Sequence, residues 1–367
     1  MTFETVTSEE ELAALAPEWD ALVAAMPRPS PFLLHAWLLE WWRAYGDGAS
    51  LAVHVARRDG RLVAALPFFI WRRRGLRIAK LPGHGVFPLG DALLARDEPS
   101  STLADLIEHA RGSHDYASLY GLPGSSRLEA AGAATVKRLE APVVDLTPGW
   151  DAVYQSKVSG KHRTVHRRKR RHLADLGLLE VRIARTWPDL EGALAEAFRV
   201  HELRWGGRHD GSDFATPRGQ SFHRAATRAL AETDTPRMVT LALDDRAIAF
   251  NFGLVSAGRF CAYRIGFDPE YARFSPGYLN TLDALEAAAG EGLQSFEFLG
   301  GGEEHKLQLG DRPDPLYDGF GLAGSARGRA AATLDRLLLE ARVRARRSPR
   351  ARALVARARD LTARGRR

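Results

Sequence analysis

One cysteine, Cys261, stands in a chain of 367 residues, so no intramolecular disulfide can form and no cysteine cluster is available for zinc or iron–sulfur chemistry. No run of about 18 apolar residues occurs, and no membrane-spanning helix is expected. The glycine-rich signatures of Rossmann and P-loop nucleotide sites are missing as well. MTFETVTSEEEL at the N-terminus is acidic and lacks a charged-then-apolar leader, so no export signal is expected and a cytoplasmic location fits.

What is present is a soluble globular composition, 45% apolar and 26% charged. The length suits two domains of about 150 residues plus an extension. The net charge of +7 hides an asymmetry. From Gly324 to Arg367 fourteen arginines face three acidic residues, Asp335, Glu340 and Asp360, which leaves the rest of the chain at −4. KHRTVHRRKRR at 161–171 is a second basic block, worth +7 by itself. Positive charge gathered in two segments points to local anionic contacts.

Strands and helices alternate along the chain, with hairpins in the middle of each half. The pattern predicts an α/β (α+β) protein with mixed sheets. Phe3–Val6 reads as a strand, and Ser8 with Glu11 forms a capping box that opens a helix to about Ala25. HAWLLEWWRAYG reads as a helix ending near Gly46, and LAVHVARR-DG-RLVAALPFFIW as a hairpin. TVKRLEAPVVDL reads as one strand closing the first half. The second half opens with a basic helix from about Ser159 to Leu176. It continues through strand LLEVRIA, two helices, the hairpin RMVTLAL-DDR-AIAFNFGLV and strand RFCAYRIGF to a helix after SPG, then strand LQSFEFLG. ARRDGRLVAALPF and ALDDRAIAFNFGL echo one another, which suggests duplication. The expected units are 1–148, 149–322 and an Arg-rich helical tail at 323–367. In the tail Leu334, Leu337, Leu338 and Ala341 share one helical face, and Ser348-Pro349 starts a second short helix. The tail reads as an appendage outside the sheets.

Two stretches carry chemistry. In FDPEYARFSPGYLNTL a helix starts directly after a Ser-Pro-Gly turn, so free backbone N–H groups and the positive dipole end are available to a phosphate. Ser275 can add a hydroxyl, Pro276 fixes the turn, and Gly277 has no side chain to block close approach. The preceding strand, with Tyr263 and Arg264, would deliver a ligand to this helix. An ordinary strand–turn–helix link is the plain alternative. In FEFLGGGEEHK a strand ends in glycines, where backbone can pass close to a ligand. Lys306 could stabilise a developing oxyanion, and Glu303 or Glu304 could act as general base if its pKa is raised.

These pieces as a series resemble the GNAT-fold acyltransferases of the CelD/FemAB-like branch. The matching stretches are SGKHRTVHRRKRRHLADLG, the HELRW helix end, the DDRAIAF hairpin, YRIGFDPEYARFSPGYL and FEFLGGGEEHK. SPFLLHAWLLEWWRAYG, the first hairpin and HGVFPLGDALL match more loosely, and together they span roughly residues 1–322. The resemblance implies two tandem GNAT-like halves and transfer of an acyl group, acetyl first, from a carrier to an amine or hydroxyl of a sugar, envelope component or small molecule. It implies acyl-CoA as co-substrate, with aminoacyl-tRNA used by Fem-type relatives. It also implies a carrier phosphate site at Ser275, Pro276, Gly277 and Tyr278, supplemented by Arg264, and Lys306 at the reaction centre. Arg204, Tyr263 and Asp91 are candidates for the acceptor side. His305 stands where the family usually has an aromatic residue.

Other features weigh less. His162 and His166 have the spacing of two metal ligands, but five basic residues follow and would repel a dication, so no metal is expected. Cys261, mid-strand, reads as a small buried residue. The basic helix could grip phosphate, a glycan or tRNA, although it lacks interleaved aromatics. The tail could lie on an anionic membrane surface, which would make the protein peripheral at the inner face, or cover the protein's own core. A nucleic-acid or anion-binding module without catalysis is the alternative to an enzyme.

Overall fold

A computed structural model describes residues 1–84, 86, 89–129, 131–206, 212–301 and 303–347, the last two by backbone alone. The helix read from Ser348-Pro349, parts of HGVFPLGDALL and the third glycine of GGGEEHK lie outside the described residues. The first half runs β1 (Thr2–Val6), α1 (Glu9–Ala14), α2 (Ala16–Ala25), α3 (His35–Tyr45), β2 (Ala49–Arg58), β3 (Arg61–Arg73) and β4 (Leu76–Lys80). It continues with β5 (Leu93–Leu94), α4 (Ser100–Ala110), β6 (Tyr116–Pro123) and β7 (Ala133–Leu139). Then follow β8 (Pro142–Asp145), α5 (Trp150–Lys157), α6 (Gly160–Ala174), β9 (Leu179–Ala184), α7 (Trp187–Trp205) and α8 (Pro217–Ala231). After these come β10 (Pro236–Leu243), β11 (Arg246–Ser256), β12 (Arg259–Phe267), α9 (Pro276–Gly290) and β13 (Ser295–Glu297). The chain closes with α10 (Glu304–Leu309), β14 (Arg312–Pro313), β15 (Leu316–Gly321) and α11 (Ala326–Arg347).

Two mixed sheets form, and their topologies match along the main path, with β5 added to the first by pairing with β3. The first has the order β1-β2-β3-β4-β6-β15-β7, the second β9-β10-β11-β12-β13-β8-β14 read from the opposite edge. On these paths every neighbouring pair is antiparallel except β4/β6 and β12/β13, which are parallel. The sixth strand of each sheet comes from the other half: β15 enters the first sheet and β8 the second. TVKRLEAPVVDL is therefore two strands in two sheets. Val136 pairs with Asp318 in the first sheet, and Val143 with Glu297 in the second. The local sequence supports extended backbone throughout, so only the tertiary partners reveal the break.

The hairpin echo sits at equivalent places. Asp59-Gly60 joins β2 to β3, and Asp244-Asp245 joins β10 to β11, all four residues with positive φ. Such turns match the right-handed twist of the flanking strands. The capping box at Ser8 and Glu11 is present, although the helix it opens stops at Ala14 and α2 restarts with Pro17 in its first turn. One aromatic core joins the halves. Trp37 on α3 packs against Phe222 on α8, ring centroids 5.1 Å apart, and against Tyr263 on β12 at 5.5 Å. Burying each such side chain stabilises by about 1.5–3 kcal/mol, which ties the two sheets into one body.

The tail departs from the reading as an appendage. α11 packs on β6, β7 and β15, with Ala332 buried and Leu339 and Val343 partly so, and Asp335 accepts a 2.6 Å hydrogen bond from the Tyr116 hydroxyl. Leu334, Leu337 and Leu338 face outward and do not cover the core. The helix uses its small, alanine-rich side to approach the sheet closely. Among the described residues no helix is long and apolar enough to cross a membrane.

Candidate functional site

The site begins where a parallel strand pair comes apart. β12 and β13 pair only at Arg259/Ser295, Phe260/Phe296 and Cys261/Glu297. Beyond Cys261, β12 continues to Phe267 bonded to β11 on its other side. The chain after Glu297 swings away, with the Phe298 N–H donating to the Pro142 carbonyl of β8 and Leu299 in the left-handed region at φ 55°. The resulting wedge leaves strand backbone from Ala262 onward without a strand neighbour on that side, and backbone polar groups left open in this way are available to a ligand. A bulge at Tyr263, where β12 has one residue more than β11, turns that side chain inward.

The wedge opens into a cleft of about 910 Å³. Of the residues predicted from sequence it brings together Ser275, Gly277, Tyr278, Tyr263, Arg264, Arg204, Glu303 and Lys306. Pro276 and Glu304 are not on its wall. Glu304 lies on the outer side of α10, accepting from Gln308 one turn on at 3.1 Å. Asp91 lies elsewhere, in a small cavity of about 70 Å³ near Arg28 and Glu297, where its carboxylate accepts from Ser126 Oγ at 2.7 Å and the Ala92 N–H at 2.9 Å. Burial pushes its pKa up to about 7. Asp91 directly precedes β5, which pairs with β3 at Leu93/Ala65 and Leu94/Ala64, and this holds it off the cleft.

At the outer end of the cleft α9 starts with Ser275 in a left-handed conformation (φ 55°) and no side-chain cap on its first turn. The Lys169 ammonium of α6 donates to Ser275 Oγ at 2.7 Å. The next residue of the same basic helix, Arg170, is paired with Asp283 of α9, whose pKa burial raises to about 6 against the pull of that arginine. Two members of the basic block thus dock onto α9, while Lys161, Arg167, Arg168 and Arg171 stay exposed. Gly277 is required by protein packing: a Cβ there would stand 2.8 Å from Cδ1 of Phe267. Arg204 stacks its guanidinium 3.8 Å from the centre of that same ring.

At the end of the cleft near the parting strands, Lys306 is mostly buried, and its ammonium donates to the Gly300 carbonyl at 3.1 Å and pairs with Glu303 at 3.1 Å. Burial pushes the Glu303 carboxyl up, but Lys306, a backbone hydrogen bond and His305 together outweigh it and the net shift is downward. The raised pKa that a Glu303 general base requires is therefore absent. His305 is better suited. It lines the cleft with its ring 6.0 Å from Tyr278, and burial together with neighbouring Lys306 lowers its pKa, leaving a neutral imidazole at pH 7.

The inner wall is a buried polar chain. His223 directs Nδ1 at the Gly219 carbonyl, so Nδ1 carries the proton and Nε2 accepts from the Tyr263 hydroxyl at 2.9 Å. Burial pushes His223 down to about 3, and burial likewise raises Tyr263. Arg264 donates to the Val86 carbonyl at 2.7 Å, which ties the cleft to the first half. Val86 and Tyr120 of that half complete the wall. Neither was identifiable from sequence, because nothing in local spacing reports a wall contributed by the other half. Cys261 lies at the base of the wedge, fully buried, with its thiol pushed up by burial and held protonated.

Among the described residues no group of three or more His, Cys, Asp or Glu is placed to hold a metal ion. His162 and His166 have separate partners, the Ser159 hydroxyl at 3.1 Å and the Tyr154 hydroxyl at 3.1 Å.

No curated protein matches the sequence. Among solved structures the chain is similar to FemX, at 12% identity and a TM-score of 0.57 over 87% of this chain and 97% of that one. It is also similar to a conserved protein of unknown function from Bacteroides thetaiotaomicron, at 15% identity and 0.56 over 87% and 100%. A third similar structure is L-PGS from Bacillus licheniformis, at 12% identity and 0.53 over 89% and 96%. At these identities the likeness is one of fold. Residues 160–307, which hold the wedge, α9, His305 and Lys306, match the family model of the acetyltransferase (GNAT) domain, and the molecule is built as two GNAT-like halves in tandem.

Proposed function

We propose that the protein is an N- or O-acyltransferase that moves an acyl group, acetyl first, from acyl-CoA to an amine or hydroxyl of a small-molecule or glycan acceptor in a ternary complex. The carrying observation is the wedge: unpaired strand backbone from Ala262 to Phe267 leads to the uncapped first turn of α9, where the Lys169 ammonium stands. Open strand amides suit the amide-bearing arm of such a carrier, and an uncapped helix start beside a cation suits its phosphates. The match of 160–307 to an acetyltransferase domain supports the same reading.

A bound acyl-CoA supplies an activated thioester. Lys306, near the parting strands, stabilises negative charge as it develops on the carbonyl oxygen. His305 takes the proton from the attacking amine or hydroxyl. The new bond to the acyl carbon forms, the C–S bond breaks, and the departing sulfur takes a proton from the Tyr278 phenol, which burial keeps protonated. The test is a panel of acyl-CoAs against mixed amine and hydroxyl acceptors, read by release of free thiol. Absence of both thiol release and any thermal shift with every acyl-CoA would overturn the proposal.

One observation favours a second reading, an aminoacyl-tRNA carrier. Lys161, Arg167, Arg168 and Arg171 are exposed on the helix whose Lys169 reaches the mouth of the cleft. Binding of tRNA that fades at moderate salt, with transfer from aminoacyl-tRNA and none from acyl-CoA, would select it.

A further inference from the structure

The first half has a groove of its own, on the side of the first sheet that α11 covers. It measures about 830 Å³ and lies between the β3–β4 hairpin and α11. Its apolar lining is left open to solvent: Trp71 is 39% exposed, Leu334 58% and Leu338 47%. Among the described residues most of its cations form no ion pair, Arg138 being the exception. Among the described residues no ion pair engages Arg73, Lys80 or Arg342, and the Lys80 ammonium rests 5.8 Å over the Trp71 ring. The two acidic residues on the wall are engaged by Tyr116 and Arg138, which line it too. Asp335 accepts from Tyr116 at 2.6 Å, and Asp318 pairs with Arg138 at 2.9 Å.

Burying apolar side chains beside unpaired cations calls for a partner that is apolar on one side and anionic on the other. The chain itself does not supply one. The residues after Arg347 carry seven more arginines against Asp360 alone, so they match the groove in sign. A second copy would bring the same cations. A nucleic acid would satisfy the charge, but it would leave Leu334, Leu337 and Leu338 in water. An anionic bilayer satisfies both: phosphate groups meet Arg73, Lys80 and Arg342, while the outward leucines of α11 and Trp71 enter the headgroup–acyl boundary.

We infer that the groove between the β3–β4 hairpin and α11 is a docking site for anionic membrane lipid. Docking there also sets the location of the cleft, because Tyr120 lines both the groove and the cleft, so the two adjoin. The inference does not depend on the identity of the acyl carrier.

The test is co-sedimentation of the full chain with vesicles of phosphatidylcholine alone and of phosphatidylcholine with about one third phosphatidylglycerol. The protein is expected to pellet with the anionic vesicles only. Arg73→Gln and Arg342→Gln, both exposed, should each weaken binding about fivefold. Leu334→Ser with Leu338→Ser should weaken it at least as much, and salt should not restore it. All four substitutions lie on the surface, and unchanged melting temperatures confirm folding. Equal pelleting with both vesicle types, or with neither, would overturn the inference. So would full binding by the groove variants together with loss on removing residues 348–367, which would assign the membrane contact to the tail alone. Displacement from vesicles by tRNA at equimolar phosphate would show a general polyanion surface and would equally overturn it.

Discussion

The two sheets share a parallel strand pair that parts early, but only in the second does the leading strand run on, from Ala262 to Phe267, while β4 ends at Lys80 and the Gly90 N–H meets the Gly121 carbonyl of β6. In the second half β12 and β13 part after three residue pairs; in the first, β4 and β6 part after two, Ile78/Tyr116 and Ala79/Ala117. In each half a helix lies in the chain between the parting strands, and neither α9 nor α4 has a side-chain cap. The charge at the helix mouth differs. Before α4 stands Glu98, buried, accepting from Arg58 at 2.9 Å and from Thr102 at 2.9 Å. At α9 stands the Lys169 ammonium on Ser275. A carboxylate at a helix start satisfies the dipole from within and repels phosphate, whereas an ammonium there leaves the dipole unanswered and adds attraction. On the proposed function, the half with the ammonium at its helix mouth takes the anionic carrier, and the half with the Glu98–Arg58 pair serves as scaffold.

Several measurements would break or sharpen that contrast. Lys306→Ala should produce the largest effect, a loss of about 10²–10³ in kcat as for removal of an oxyanion partner, with little change in melting temperature. Unchanged turnover would place the chemistry outside the wedge. Lys169→Glu gives α9 the charge that α4 already has. It should raise KM for the carrier at least about tenfold while sparing kcat, since two units of charge change at the phosphate site. An effect on kcat alone would show that Lys169 acts elsewhere.

The pH profile is a finer probe. Burial and Lys306 lower the pKa of His305, so its base form persists below the ordinary imidazole range, and the acidic limb of kcat should fall below pH about 6.5. His305→Gln should remove that limb along with most of the rate. Gly277→Ala should displace the Phe267 ring and with it the stacked Arg204, costing about 1 kcal/mol of stability and a few-fold in KM, as read by thermal melting and steady-state kinetics. The smallest expected effect is that of Glu98→Gln. The ion pair and hydrogen bonds of Glu98 lower its pKa, so its contribution is present above the carboxylate's unfolded pKa and is lost as pH falls through the folded value. The variant should lose about 1 kcal/mol at pH 7, none at the acid end, and should gain no carrier binding. Carrier binding by this variant would indicate a latent site in the first half.

Much of this architecture was legible along the chain because it rests on local chemistry. Asp59-Gly60 and the capping box at Ser8 satisfy backbone needs within a few residues, so their outcome follows from their neighbours. Ser275, Gly277, Tyr278 and Lys306, from two stretches apart in the chain, line one cleft. Other readings failed for a common reason. TVKRLEAPVVDL looks like one strand since extended backbone is favourable across it, and its division between two sheets depends on Asp318 and Glu297, far away in sequence. FEFLGGGEEHK reads as a strand ending in glycines, with no helix expected, whereas Glu304–Leu309 forms a short helix that carries His305 and Lys306 to the cleft.

By itself the sequence determined the two long hairpins, the capping box at Ser8 and the placement of positive charge, because each of these is settled by neighbours within one or two turns of chain. Tertiary structure alone decided which strands changed sheets, which side of α11 met the protein and which glutamate kept a lowered pKa. Those outcomes depend on distant partners competing for the same surface, and no local pattern records which of them wins.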